Sequence, residues 1–330
     1  MTTFIKGVSH FTPDTVLTNA DLETMVDTTD EWIVTRTGIR SRTIARDGLE
    51  VSDMACRASE KALRMAGMGP KELDGILVAT CTPDMTMPGA SSLLQHKLGA
   101  GEILAMDLNA ACSGFVYGMD AADGLLSSGR YTHVLLACSE KFSSILNYKD
   151  RSTCILFGDG AGSLILSRES GFARIASIYT GGNGALANLL KRPAGGSAVP
   201  PHHCNRPEDL FVQMEGGEVF KHAVRGFNAS AEKTLARAGW AFSDVDWLVP
   251  HQANQRLIQS AVDRLGIDPS RVVVNIGKYG NMSAASIPVA MSEAMHKFRP
   301  GDKVLCLAFG AGFTWGGVAI EWTGEPNCNA

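Results

Sequence analysis

The sequence predicts an α/β protein built from two duplicated halves, and three observations carry that prediction. A length of 330 residues is long for one simple domain and suits two halves of roughly 150 residues each. The composition, 45% hydrophobic and 19% charged, is that of a packed globular chain. Above all, the chain repeats itself. Residues 59–67 read SEKALRMAG and residues 231–239 read AEKTLARAG. Both are helical patterns ending in the glycine favoured just beyond a helix C-terminus. A little further on, Asp74-Gly-Ile-Leu-Val matches Asp246-Trp-Leu-Val at the same offset of 172 residues.

The correspondence continues more loosely. MDLNAACSGFVYGMDAADGLL (106–126) has the strand–turn–helix shape of VVNIGKYGNMSAASIPVAMSEAM (273–295). An offset of 169 there sets Cys112 opposite Asn281. HVLLACSE (133–140) then matches KVLCLAFG (303–310), and GDGAGSLILS (158–167) matches GAGFTWGGVAIEW (310–322). Short apolar runs alternating with helices predict parallel strands covered by helices. The halves divide as residues 1–172 and 173–330. In such sheets ligands gather beyond the carboxyl ends of strands, where Cys112 and Asn281 both fall.

Charge and cysteines narrow the function classes. A net charge of −4 argues against the generally basic surface of a nucleic-acid binder. The eight cysteines (56, 81, 112, 138, 154, 204, 306 and 328) form no CxxC pair, and the chain is too large to need a disulfide framework. Cys138 and Cys306 sit in apolar runs and read as small buried hydrophobes. The start, MTTFIKGVSHFTPDTVLTN, lacks a charged segment followed by an apolar run, so no signal peptide is expected. No apolar stretch approaches the roughly 20 residues of a spanning helix. The expectation is a cytoplasmic protein with no membrane and no nucleic-acid partner. His202-His203-Cys204 lacks a second ligand pair, so it reads as a solvated loop and no metal is expected.

Three residues stand out for chemistry. Cys112, in Asn109-Ala-Ala-Cys-Ser-Gly-Phe, falls at a sharp turn from strand into helix. The positive end of the helix dipole there favours the reactive thiolate; the plain alternative is a small buried cysteine. His251, in Val249-Pro-His-Gln-Ala-Asn-Gln-Arg, follows a strand and precedes a helix. Asn281, in Tyr279-Gly-Asn-Met-Ser-Ala-Ala-Ser, is either a helix N-cap or an amide donor into a shared cleft, and the two roles are compatible. The glycine-rich Phe309-Gly-Ala-Gly-Phe-Thr-Trp-Gly-Gly can expose backbone N–H groups to a developing oxyanion. No GxGxxG follows a first strand, which argues against a nicotinamide oxidoreductase.

Taken together, AACSGF, VPHQANQR, YGNMSAAS and FGAGFTWG resemble the β-ketoacyl-acyl-carrier-protein synthase III family of the thiolase superfamily. So do the segments Asp27-Thr-Thr-Asp-Glu-Trp-Ile-Val-Thr-Arg-Thr-Gly-Ile-Arg and Arg151-Ser-Thr-Cys-Ile-Leu-Phe-Gly-Asp-Gly-Ala-Gly. The resemblance spans nearly the whole chain, in the family's order. It implies a thiolase-like fold of five layers, αβαβα, and a homodimer. It makes Cys112 the nucleophile of a triad with His251 and Asn281, and Cys112 and Ala311 the backbone oxyanion donors. Ala311 stands where the family usually has glycine. Trp32 and Arg151 would flank the adenine of CoA, Arg36 would meet phosphate, and Gly216, Phe220 and Asn254 would line the pantetheine channel.

The same resemblance assigns acyl-carrier-protein docking to Lys221, Arg256 and Arg264, with Asp263 departing from a basic pair. Met87, before Pro88, would close the partner's acyl pocket, and a flexible Met there widens the choice of primer. The implied reaction is decarboxylative condensation of an acyl-CoA primer, acetyl-CoA foremost, with malonyl-acyl carrier protein to begin a fatty acid. Both are substrates, and no metal or redox cofactor is implied. Residues 188–209 have no assignment. Two rivals stand beside this reading. One is a quinolone- or polyketide-type acyltransferase; the other is a non-catalytic CoA- or partner-binding scaffold with an unreactive Cys112.

Overall fold

In the computed structural model, which describes residues 2–326, one nine-stranded sheet runs through the molecule; Cys328 lies outside the described residues. The strands are β1 (Phe4–Phe11), β2 (Gly75–Ala79), β3 (Leu104–Leu108), β4 (His133–Lys141), β5 (Asp159–Ser167), β6 (Ala173–Gly182), β7 (Trp247–Pro250), β8 (Lys303–Gly310) and β9 (Thr314–Trp322). Their order is β7-β8-β9-β6-β1-β5-β4-β2-β3. The two halves meet at β1 and β6, which share only Phe4 opposite Arg174 and Ile5 opposite Ala173. Away from that seam the order is mirrored. β3, β2, β4, β5 and β1 on one side answer the Val272 bridge, β7, β8, β9 and β6 on the other.

The helices repeat in the same way. They are α1 (Asp30–Thr37), α2 (Val51–Ala66), α3 (Ala90–Leu98), α4 (Gly114–Ser127), α5 (Gly216–Ala238), α6 (Gln255–Leu265) and α7 (Ser286–Ala294). α2 covers one half-sheet with α3 packed beside it, α5 covers the other with α6 beside it, and α4 and α7 fill the space between. The result is the five-layered αβαβα arrangement that the family resemblance implies. α2 buries Met54, Ala58, Ala62 and Ala66, while α5 buries Val219, Ala223, Phe227, Ala231 and Leu235, the i, i+4 spacing of one helical face. Each ends on the repeated glycine, Gly67 (φ 65°) or Gly239 (φ 70°), in the left-handed region that glycine occupies at little cost.

One expectation is corrected. The sheet is mixed: β2 runs parallel to β3 and β4, and β7 parallel to β8, but the central pairs are antiparallel. Between β8 and β9 the cause is local. The turn through Ala311, Gly312 and Phe313 is too short for a crossover, so the chain folds straight back on itself.

The matched aspartates perform one task twice. Asp74 accepts hydrogen bonds from the N–H groups of Thr132 (2.6 Å) and His133 (3.0 Å), tying the start of β2 to that of β4. Asp246 accepts from Lys303 N (2.9 Å) and ties β7 to β8. Bonds to a carboxylate are the stronger kind, so Asp74→Ala and Asp246→Ala should each lower unfolding free energy by about 1–2 kcal/mol. Urea denaturation measures this, and midpoints unchanged in both variants would remove the clamp from the account.

Candidate active site

Cys112 and His251 sit just beyond the carboxyl ends of parallel strands, β3 and β7. Cys112 occupies a single 3₁₀ turn, Ala111–Ser113, that leads directly into α4. Ala111 takes a φ of +45°, and its N–H is held by the Asn109 side chain at 3.1 Å. In the other half Ser283 takes a φ of +49°, and its N–H is held by Asn281 Oδ1 at 2.8 Å. The offset of 172 therefore runs through this segment as well. Asn281 is the counterpart of Asn109, not of Cys112, and the offset of 169 sets the two segments three residues out of register. Nor is Asn281 the N-cap of a helix: Met282 holds that position before the turn Ser283–Ala285, and Asn281 accepts from the first N–H of that turn.

The glycine-rich hairpin clamps the cysteine turn from both sides. Ser113 Oγ donates to Thr314 O (3.0 Å), and Thr314 Oγ1 donates to Ala110 O (3.1 Å). A Cβ on Gly310 would stand 2.7 Å from Cys112 N and 2.8 Å from Ser113 N, so any side chain there would push the turn away. His251 is placed by Gln252, whose amide is fully buried. Gln252 donates to Pro250 O and Val273 O and accepts from the N–H groups of Asn275 and Ile276. That side chain joins the end of β7 to the segment leading to Asn281.

Cys112, His251, Asn281 and Phe309 line one small cavity of about 100 Å³. Both ring nitrogens of His251 are buried without a hydrogen-bond partner, and the ring lies edge-on to Phe309 at 6.2 Å. Burial lowers the pKa of His251 to about 3, so the ring is neutral, with one N–H to give. Asn281 spends its Oδ1 on Ser283, which leaves its amide N–H groups for the cavity. Burial also pushes the Cys112 thiol up to about 12, while the Ser283 hydroxyl pulls it down and Glu140 adds to the rise. Here the dipole argument from the sequence yields to desolvation, and the resting sulfur is a protonated thiol.

Two larger cavities share walls with this one. Toward the surface, about 460 Å³ is lined by Trp32, Arg36, Gly216, Phe220, Asn254 and Arg256. Phe220, Gly216 and Asn254 also line the small cavity, so the passage is continuous. α1 presents Trp32 and Arg36 one turn apart, and the guanidinium carbons of Arg36 and Arg151 each lie 4.5 Å from the centre of the Trp32 ring. Asn254 caps α6 through Arg256 N (2.8 Å) and also donates to Arg36 O (3.1 Å). On the far side of Cys112, about 370 Å³ is walled by Phe142, Ile145, Phe157 and Val212, with Ala311 at its edge. Leu190 to Gly196 close this chamber, which gives part of the unassigned segment 188–209 a position.

Of the other expected residues, Lys221, Arg264 and Met87 lie outside these cavities, while Arg256 lines the outer one. Lys221 pairs with Glu218 (2.9 Å) and Arg264 with Glu232 (3.0 Å), while Arg256 has no ion-pair partner among the described residues. Met87 is 85% exposed. His202 and His203 sit on an exposed turn with ring centres 4.3 Å apart. Sequence reasoning passed over Ser283 and Glu140. The available signal for Glu140 was an acid two residues beyond the apolar run Val134–Cys138 of β4.

Fold and cavity together define a thiolase-fold acyltransferase. Residues 106–192 match the family model described as 3-oxoacyl-[acyl-carrier-protein (ACP)] synthase III, and residues 235–322 match the model of its C-terminal part. The beta-ketoacyl-[acyl-carrier-protein] synthase III of Oleidesulfovibrio alaskensis is 46% identical over 325 residues, covering 96% of this chain and 98% of the relative. That of Symbiobacterium thermophilum is 47% identical over 321 residues, covering 96% and 97%. The crystal structure of the Aquifex aeolicus 3-oxoacyl-[acyl-carrier-protein] synthase III superposes with a TM-score of 0.89 at 41% identity, covering 97% of this chain and 100% of that one. The chain belongs to the 3-oxoacyl-[acyl-carrier-protein] synthase III family. The priming β-ketosynthase of the R1128 polyketide pathway is also similar, at TM-score 0.90 and 32% identity over 98% of this chain and 97% of that one.

Because burial keeps Cys112 protonated, its alkylation by iodoacetamide should quicken about tenfold per pH unit and reach no plateau below about pH 10. Peptide mapping of the modified cysteine reads this rate. A plateau below pH 8 would mean that the dipole, not burial, governs the thiol.

Proposed function

We propose that this chain is a 3-oxoacyl-[acyl-carrier-protein] synthase III that begins fatty acid synthesis from an acyl-CoA and malonyl-acyl carrier protein. One observation carries the reading: Cys112, an unpartnered neutral His251 and Asn281 share a cavity at the inner end of a channel. In the first half-reaction the Cys112 sulfur attacks the thioester carbonyl, the carbon–sulfur bond to CoA breaks, and the cysteine proton ends on the departing thiol. N–H groups of Cys112 and Ala311 stabilise the oxyanion. In the second, His251 and Asn281 donate hydrogen bonds to the malonyl thioester oxygen. The electron pair left by carbon dioxide forms an enolate, whose carbon attacks the acyl-cysteine. The bond to Cys112 breaks and its sulfur takes up a proton. A neutral imidazole is the form this step needs, since it stabilises the enolate as a donor.

CoA binds with its adenine on Trp32, its phosphate near Arg36 and its pantetheine past Gly216, Phe220 and Asn254. Arg151 already stacks on Trp32, so the base enters by displacing that guanidinium. Of the three docking cations, Arg256 carries most of the attraction for an acidic carrier protein, because Lys221 and Arg264 are neutralised by neighbouring acids. β3 ends the sheet with only β2 beside it, and exposed Met106 on that strand and nearby Met85 and Met87 leave an apolar edge. A second copy covers that edge and sends its own Met87 toward the apolar chamber beside Cys112. The boundary between the halves falls where β6 begins, between residues 172 and 173, and the enzyme works in the cytoplasm with no metal or redox cofactor.

Intact-mass measurement after mixing with acyl-CoAs from acetyl to medium chain tests this. The wild type should gain one acyl group and Cys112→Ser none, and the best primer reports the size of the 370 Å³ chamber. His251→Ala and Asn281→Ala should still be acylated but lose at least about a hundredfold in condensation rate. A wild type that accepts no acyl group from any primer would favour the binding-scaffold reading.

A further inference from the structure

Glu140, next to last in β4, is a fully buried carboxylate with no cation paired to it among the described residues. It is held by neutral donors alone. Thr82 Oγ1 (2.7 Å), Thr80 Oγ1 (3.2 Å) and Cys81 N (3.1 Å) reach it from the segment leaving β2. The Cys81 thiol stands at 3.4 Å. From the other half of the molecule, Ser283 Oγ donates to its Oε1 at 3.0 Å. A carboxylate so placed loses its hydration and regains it only through these bonds, which makes each one structurally demanding.

Ser283 is the residue with a left-handed φ of +49°, and its N–H is what fixes Asn281 Oδ1. The main chain of Asn281 is separately pinned, donating to Leu156 O (2.9 Å) and accepting from Gly158 N (3.0 Å). Once the backbone is fixed, the direction of the amide depends on where Ser283 holds its own N–H. That in turn depends on the bond from its hydroxyl to Glu140. We infer that Glu140 is a positioning residue for the condensation step, aiming the Asn281 amide at the malonyl thioester through Ser283. Glu140 touches no reacting atom in this arrangement. Its carboxylate supplies the anchor that a strained, non-glycine turn requires.

The inference rests on the condensing reading, so its test separates the two half-reactions. Acyl transfer to Cys112 is followed by intact mass, and decarboxylation by carbon dioxide release from malonyl-acyl carrier protein. In Glu140→Gln the decarboxylation kcat should fall roughly tenfold to a hundredfold, the cost of misplacing a donor by about an ångström. Its KM should stay within a factor of about three, and the acylation rate should fall far less than decarboxylation. Ser283→Ala, which cuts the link while leaving the other donors to Glu140 in place, should give the same fall in decarboxylation kcat, measured on enzyme already acylated so that its separate effect on the Cys112 thiol does not enter. The double variant should be no worse than either single one, since coupled residues are non-additive. Equal loss of both half-reactions, or additive losses in the double variant, would overturn the inference. If Glu140→Gln fails to fold, Ser283→Ala alone decides it: an unchanged decarboxylation kcat in the pre-acylated variant would overturn the inference. Absence of acylation in the wild type would instead defeat the condensing reading itself.

Discussion

The site depends on the close approach of two strand-to-helix turns, one from each half. Gly114 opens α4 where a Cβ would lie 2.9 Å from the Cβ of Ala284 and 3.1 Å from that of Ala79. Only a residue without a side chain lets the Cys112 turn press against its counterpart this closely. Each turn holds one non-glycine residue at positive φ, Ala111 or Ser283, a conformation that costs on the order of 1–3 kcal/mol. Each is held there by an asparagine two residues earlier, in the same geometry. The strain is thus symmetric, and so is its remedy.

What the halves present from this shared scaffold has diverged. The first turn carries the thiol, and the second carries the amide donor and the serine that reaches Glu140. His251 comes from the end of β7, at the position where the first half has Ala79 beside Gly114. The duplication explains why two helix-opening turns face one another across the middle layer. The chemistry lies in the few positions where the repeat is broken. The cavities follow from the same geometry, with the outer channel entering past α1, α5 and α6 and the second chamber lying on the other side of the cysteine.

Much of this was legible in the chain. The helices ending at Gly67 and Gly239, the paired Asp74 and Asp246, and buried Cys138 and Cys306 all follow from local pattern. Five-layered packing came from the family resemblance rather than from periodicity. The sequence misled where a signal was missing. Ala111 and Ser283 are not residues that announce a left-handed turn, so nothing marked the true register between the two segments, and Cys112 was set against the wrong partner. Antiparallel pairing of β8 with β9 depends on a tight turn through Ala311 to Phe313, which reads locally as a loop for an anion. The thiol's protonation depends on burial, a tertiary quantity that a helix-terminus argument omits. Neutralisation of Lys221 and Arg264 by Glu218 and Glu232 depends on which side chains meet in space, in the second case across two helices.

The central claim is that one cavity holds a thiol for the acyl group and, opposite it, two hydrogen-bond donors for the malonyl thioester. A crystal structure with a non-decarboxylating malonyl thioester analogue bound would test it most directly. The analogue's carbonyl oxygen should lie about 2.7–3.2 Å from both a His251 ring nitrogen and Asn281 Nδ2. Finding that oxygen on the backbone N–H groups of Cys112 and Ala311, with His251 and Asn281 still unengaged, would contradict the account.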